Sequence, residues 1–211
     1  MDIFGEIADE RRRMADLLSQ LTVQQLRTPS LCRGWSVQDV AAHLVVPLEV
    51  STTKFALAIL RAGGSFDRAN TRLAHEHGKR PVGDLIQVLR REAGSRFTPP
   101  GAGPEAPLTD LLVHGLDIRR PLQLDRELPA ARVRTSLGFL TTRAGRGLTP
   151  KGALDGLRLV AEDIGWAHGD GPAVCGSAEA LLLAMTGRRV ALDQLAGDGS
   201  ATLRARLSQL Y

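Results

Sequence analysis

Aromatic residues are scarce in this chain, which has five Phe, two Trp and one Tyr in 211 residues. A β-sandwich or barrel packed on large rings is therefore disfavoured against helices packed on Leu, Val and Ala. Cysteine is limited to Cys32 and Cys175, too far apart for a CxxC pair and too few for a disulfide framework. The opening residues Met1-Asp2-Ile3-Phe4-Gly5-Glu6 carry no cationic, apolar leader, so a reducing cytoplasm is the expected location. Lysine occurs only as Lys54, Lys79 and Lys151, and the formal net charge of +4 rests on dispersed arginine. Residues 1–125 hold 16 basic against 15 acidic side chains and residues 126–211 hold 11 against 8, so neither part is a basic arm. Without a basic stripe or an aromatic platform, no nucleic-acid partner is expected. Long apolar runs are also missing. The stretch Val37–Leu60 is broken by Asp39, His43, Glu49 and Lys54, and no membrane-spanning helix is expected.

What is present is a globular composition, 43% hydrophobic, with helical periodicity over the first two thirds of the chain. Ile3, Ile7, Met14, Leu17, Leu18 and Leu21 recur at three and four, which predicts an amphipathic helix. The run Arg11-Arg12-Arg13 follows Glu6, Asp9 and Glu10 at i,i+4 spacing and reads as a neutralised, solvated helix face. After the loop Thr28–Gly34, Ser36 with Asp39 three residues later resembles a capping box, opening a second helix that reaches about Leu60. Pro47 lies inside it and removes the N–H that would bond the carbonyl of His43, so a kink is expected there. Asp67–His77, Val82–Arg96, Leu108–Leu122 and Arg132–Arg143 read as further helices, with a Pro/Gly loop over Thr98–Pro107. Past residue 147 short runs alternate with Gly, Asp and Pro. There, strands are expected at Leu157–Ala161, Ile164–His168 and Val190–Leu195, with helices from Ser177 to Met185 and from Ser200 to Leu210. The domain reading is a helical bundle over 1–146 and a small α+β domain over 147–211.

The segment Asp110-Leu-Leu-Val-His114-Gly-Leu-Asp117 sets three ionisable residues at i, i+4 and i+7. At about 100° per residue they fall within roughly 60° of one another. Leu111, Leu112, Val113, Leu116 and Ile118 flank this stripe, so it does not read as a solvent face, and buried polar groups need partners. On spacing alone Asp110 and His114 form an ordinary intrahelical ion pair. A third ligand would turn the pair into a metal site, and His43, among Val40 and Leu44 on the second helix, is the candidate. His43, Asp110 and His114 would leave positions open for water or substrate, as catalytic rather than structural zinc does. Cys32 and Cys175 are read as packing residues, and His75, His77 and His168 as surface residues.

The stretch Pro29-Ser-Leu-Cys-Arg-Gly-Trp-Ser-Val-Gln-Asp-Val-Ala-Ala-His43-Leu, followed by Asp110-Leu-Leu-Val-His114-Gly-Leu-Asp117-Ile-Arg-Arg-Pro-Leu122, resembles the DinB-like superfamily. Its mycothiol-dependent maleylpyruvate isomerase branch, an actinobacterial family, is the one most similar. The tail Val174-Cys-Gly-Ser-Ala-Glu-Ala-Leu-Leu-Leu-Ala-Met-Thr-Gly187-Arg188 is similar to the small C-terminal domain of that family. The resemblance implies a mainly α, DinB-like four-helix bundle with a small C-terminal α+β domain. It also implies a divalent metal, usually zinc, held by a histidine of helix two and an acid-x-x-x-His pair on a later helix. His43 and His114 match that pattern, while Asp110 stands where the family has glutamate and is one methylene shorter. Arg188 matches the arginine of the small domain that the family uses near its metal.

The implied activity is an isomerase or S-transferase using mycothiol, a low-molecular-weight thiol, on a small electrophilic or unsaturated acid. The alternative is a DinB-like metal-binding protein without turnover, a ligand-binding or stress-response module. The expected partners are the small-molecule substrate and the thiol, with a homodimer left open.

Overall fold

In the computed structural model, which describes residues 2–209, helices dominate and one small sheet lies near the C-terminus. The helices are α1 (Ile3–Gln20), α2 (Val23–Leu26), α3 (Val37–Glu49), α4 (Thr52–Arg61), α5 (Phe66–His77), α6 (Val82–Arg91), α7 (Glu105–Arg119), α8 (Ala130–Leu140), α9 (Ala178–Met185) and α10 (Ser200–Ser208). By internal contacts the chain forms two compact units. One comprises Met1–Phe97 with His114–Asp125 and the other Thr98–Val113 with Arg126–Tyr211, so the division passes through the continuous helix α7.

In the first unit α1 packs on α6, and α3 packs on both α5 and α6. The buried stripe of α1 runs through Ile7, Met14, Ala15 and Leu18, that of α6 through Leu85, Val88 and Leu89, and that of α3 through Val37, Val40, Ala41, Leu44 and Val45. Each stripe repeats at three and four, and removal of its apolar surface from water is what holds these helices together.

Ser36 starts α3 with a complete capping box. Its Oγ accepts from the Asp39 N–H at 3.2 Å, and Asp39 Oδ2 accepts from the Ser36 N–H at 2.9 Å. The predicted helix to Leu60 is instead two helices. Val50 is extended and Ser51 caps α4 by accepting from the Lys54 N–H, so the chain breaks one turn beyond Pro47. A fresh N-cap satisfies the donors that the interrupted ladder would leave open.

The Arg11–Arg13 run also departs from expectation. Arg13 pairs with Asp9 at 2.8 Å, as its spacing implies. Arg11, however, falls between Ile7 and Met14 on the core stripe and is buried. Its Nη1 donates to the carbonyls of Ala93 at 2.9 Å and Ser95 at 2.7 Å and lies 3.4 Å from that of Glu92. Burial lowers the pKa of this guanidinium, and the nearby Glu92 carboxylate opposes that effect. His77 is not a plain surface residue either, since it is half-buried with Nδ1 3.7 Å from Glu49, while His75 Nδ1 lies 3.2 Å from Asp39.

The second unit contains a three-stranded sheet in the order β2-β1-β3, formed by β1 (Arg158–Ala161), β2 (Trp166–His168) and β3 (Ala173–Gly176). β1 runs antiparallel to β2, with Val160 opposite Ala167, and parallel to β3, with Leu159 opposite Val174. α9 covers the sheet and packs on α8. Its residues Leu181, Leu182, Leu183, Ala184 and Met185 are all inaccessible, as expected of a helix apolar on every side. The expected strand Val190–Leu195 is instead part of a 3-10 helix, Arg189–Gln194. Its buried residues Ala191, Leu192 and Leu195 are spaced by one and three, which is a helical face and not the alternation of a strand. Pairing resumes only at Ala196, which exchanges two hydrogen bonds of 2.8 Å with Cys175.

Candidate metal centre

The loop before α3 is closed by its own backbone before any side chain takes part. Ser30 N–H donates to the Trp35 carbonyl at 2.9 Å, Trp35 N–H to that of Cys32 at 3.0 Å, and Val37 N–H to that of Thr28 at 2.9 Å. Gly34 has φ +78°, a conformation that would strain a side-chain-bearing residue in this turn. The loop is also tied to α7, because Leu31 N–H donates to the Asp117 carbonyl at 3.2 Å. Trp35 is thereby held against both predicted histidines, its ring 5.3 Å from that of His43 and 6.4 Å from that of His114.

His43 and His114 meet edge to face with ring centroids 4.7 Å apart. Each has its Nδ1 engaged by an oxygen acceptor. His43 Nδ1 donates to Oδ1 of Asn70, on α5, at 3.0 Å, and His114 Nδ1 donates to Asp117 Oδ2 at 2.8 Å. A neutral imidazole protonated at Nδ1 carries its lone pair on Nε2, the nitrogen that ligates a metal. Helix α7 sets Asp110 one turn before His114. Ligand atoms of His43, Asp110 and His114 all lie within 4.8 Å of one another, so the three residues inferred from sequence spacing do converge.

A second group, not anticipated from the sequence, shares His114. Cys32, His114 and Asp117 also bring their ligand atoms within 4.8 Å. Here the distances are those of direct hydrogen bonds: Cys32 Sγ donates to Asp117 Oδ2 at 3.1 Å and lies 3.7 Å from His114 Nδ1. Asp117 is fully buried and His114 nearly so. A buried carboxylate that accepts from a thiol and an imidazole is satisfied by those donors. The i, i+7 place of Asp117 on the stripe was the available signal for it. Nothing in the sequence linked it to Cys32, which lies 85 residues away. Arg188 belongs to the second unit. It is the N-cap of the 3-10 helix in the second unit, with Nη1 donating to the Thr186 carbonyl at 2.7 Å.

A mainly helical chain with a small sheet, two histidines from different helices and an acid one turn before the second of them together make a helical protein with a candidate metal centre. The family described as the mycothiol maleylpyruvate isomerase N-terminal domain matches residues 7–138, and the chain belongs to that family. Two solved structures share the fold. A histidine-to-alanine mutant of the mycothiol-dependent maleylpyruvate isomerase is 18% identical at a TM-score of 0.57, and another crystal structure of that enzyme is 20% identical at 0.52. Both alignments cover 95% of this chain and 97% of the other. No curated protein matches. Among the described residues no helix is long and apolar enough to cross a membrane.

Proposed function

We propose that this protein is a metal-dependent enzyme using a low-molecular-weight thiol, of the mycothiol type, to isomerise or S-transfer to a small unsaturated or electrophilic acid. The observation that carries the reading is the paired engagement of Nδ1 on His43 and His114, which directs both Nε2 lone pairs to ligation beside the Asp110 carboxylate. Two imidazoles and a carboxylate are the donor set of catalytic zinc, so the residues present fit a divalent cation. When bound, that cation lowers the pKa of a thiol and polarises the carbonyl of an acceptor acid.

The chain's own residues do the rest. His43 and His114 hold the centre, Asp110 neutralises part of its charge, and Trp35 packs an apolar wall against both imidazoles. The small domain, residues 147–211, supplies Arg188 for a substrate carboxylate, a role that rests on the resemblance of its motif. The nucleophile comes from solution. In the isomerisation a thiolate adds to one carbon of a conjugated double bond, rotation follows about the resulting single bond, and the same thiolate leaves from that carbon. Thiol and protons are thus returned unchanged.

The test is metal content followed by thiol response. Purified protein is expected to bind one zinc per chain, His43→Ala and His114→Ala to lose it, and Asp110→Asn to bind it more weakly. The cobalt-substituted protein is expected to gain a sulfur-to-metal charge-transfer band on addition of mycothiol. Full metal content in the double histidine variant would end the metal reading. A cobalt protein indifferent to every small thiol would leave a metal-binding module without turnover.

A further inference from the structure

Asp117 holds two elements of the candidate centre at once. Its main-chain carbonyl accepts from Leu31 in the loop that leads into α3, and its Oδ2 accepts from Cys32 of that loop and from His114 of its own helix. The loop is one short turn from the capping box of α3, so the same residue connects the helix carrying His43 with the helix carrying His114. Asp117 has no solvent exposure, and a carboxylate in that setting keeps its geometry only through its donors. The thiol of Cys32 is one of them, itself held by the turn in which Cys32 N–H donates to Ser30 Oγ at 3.1 Å.

We propose that Asp117, gripped by the Cys32 thiol, is a positioning residue that fixes His114 in the Nδ1-protonated tautomer and presents its Nε2 to the metal. The inference rests on the metal reading of His43, Asp110 and His114 and assigns Cys32 a place outside the ligand set. A carboxylate on the far nitrogen of a ligating histidine orients the ring and raises its basicity, and loss of such a partner costs about ten- to a hundredfold in metal affinity. Cys32 acts one step further out, because its S–H occupies the Oδ2 lone-pair direction that the imidazole does not use.

Two measurements test this. The first is nitrogen-15 NMR of the imidazoles in the zinc-free protein at neutral pH, where His114 is expected to carry its proton on Nδ1 and none on Nε2. The second is zinc affinity by competition with a chromophoric chelator. Asp117→Asn is expected to bind about ten- to a hundredfold more weakly, still saturating at one zinc and keeping the wild-type circular dichroism, with a mixture of His114 tautomers. Cys32→Ser keeps a donor and is expected to bind zinc as the wild type does, whereas Cys32→Ala falls between the wild type and Asp117→Asn.

The proposal is overturned if His114 in the wild type is protonated at Nε2, or if Asp117→Asn retains both wild-type affinity and a single tautomer. It is equally overturned if the cobalt wild type shows sulfur-to-metal charge transfer with no added thiol and Cys32→Ser abolishes it, since Cys32 would then be a ligand. Absence of zinc binding by the wild type would sink the metal reading, while the tautomer measurement would still decide what Asp117 does to His114.

Discussion

Nη1 of Arg11 donates to carbonyls just past the end of α6, where a helix leaves its last acceptors without intrahelical donors. The cation also sits at the negative end of the helix dipole. Arg11→Ala should therefore destabilise the protein by about 2–4 kcal/mol, through buried acceptors left unpaired and a cavity in the core stripe of α1. Arg11→Lys should recover part of that loss, because one ammonium cannot reproduce the reach of a guanidinium. Chemical denaturation of the three proteins checks this, and an Arg11→Ala midpoint equal to the wild type would refute the cap. At the same scale spacing placed Asp110 one helical turn from His114, because helical geometry converts sequence separation into direction, whereas His43 was singled out by its apolar neighbours and by the resemblance. Arg11 and Cys32 were misread. Charge pattern alone does not reveal that position 11 shares the face of Ile7 and Met14, and a cysteine in a loop carries no spacing signal toward a helix far along the chain.

At the scale of elements, the capping box of α3 was the clearest local signal, and the structure contains both of its hydrogen bonds. Asp39 also approaches His75 on α5, which binds the start of α3 to a neighbouring helix. Ser36→Ala should cost about 1 kcal/mol, the usual effect of removing an N-cap, while Ser36→Thr should be close to neutral. Thermal melts of the two variants distinguish a cap from an incidental serine, since only a cap tolerates the second hydroxyl. Helix existence was readable from period, yet ends were less so. α6 stops at Arg91 and not near Arg96, and Val190–Leu195 coils as a 3-10 helix because its buried positions are one and three apart. Short β3 escaped notice because its four residues lie between a Gly-Pro turn and the Ser177 cap and are too few to display alternation.

For the whole molecule, a ligand that binds only the folded chain stabilises it by mass action. Zinc at about a thousandfold excess over its Kd should add about 4 kcal/mol, and for a chain of this size each kcal/mol raises Tm by about 2–4 °C. Scanning calorimetry of the metal-free and zinc-loaded protein should show that rise in the wild type and none in His114→Ala; an equal rise in both would place the bound zinc elsewhere. The mainly helical class, the family resemblance and the Asp110–His114 spacing were determined by the sequence itself, because helical period, capping chemistry and i,i+4 spacing are local and survive without coordinates. Only the tertiary structure decided that His43 and His114 meet within 5 Å, that Asn70 and Asp117 take up their Nδ1 atoms, and that Cys32 closes on Asp117. Apart from the His114–Asp117 bond, which spans three residues of one helix, those contacts join residues 27 to 85 positions apart, and which partner a buried polar group finds across such distances is set by how helices pack, a choice no local pattern encodes.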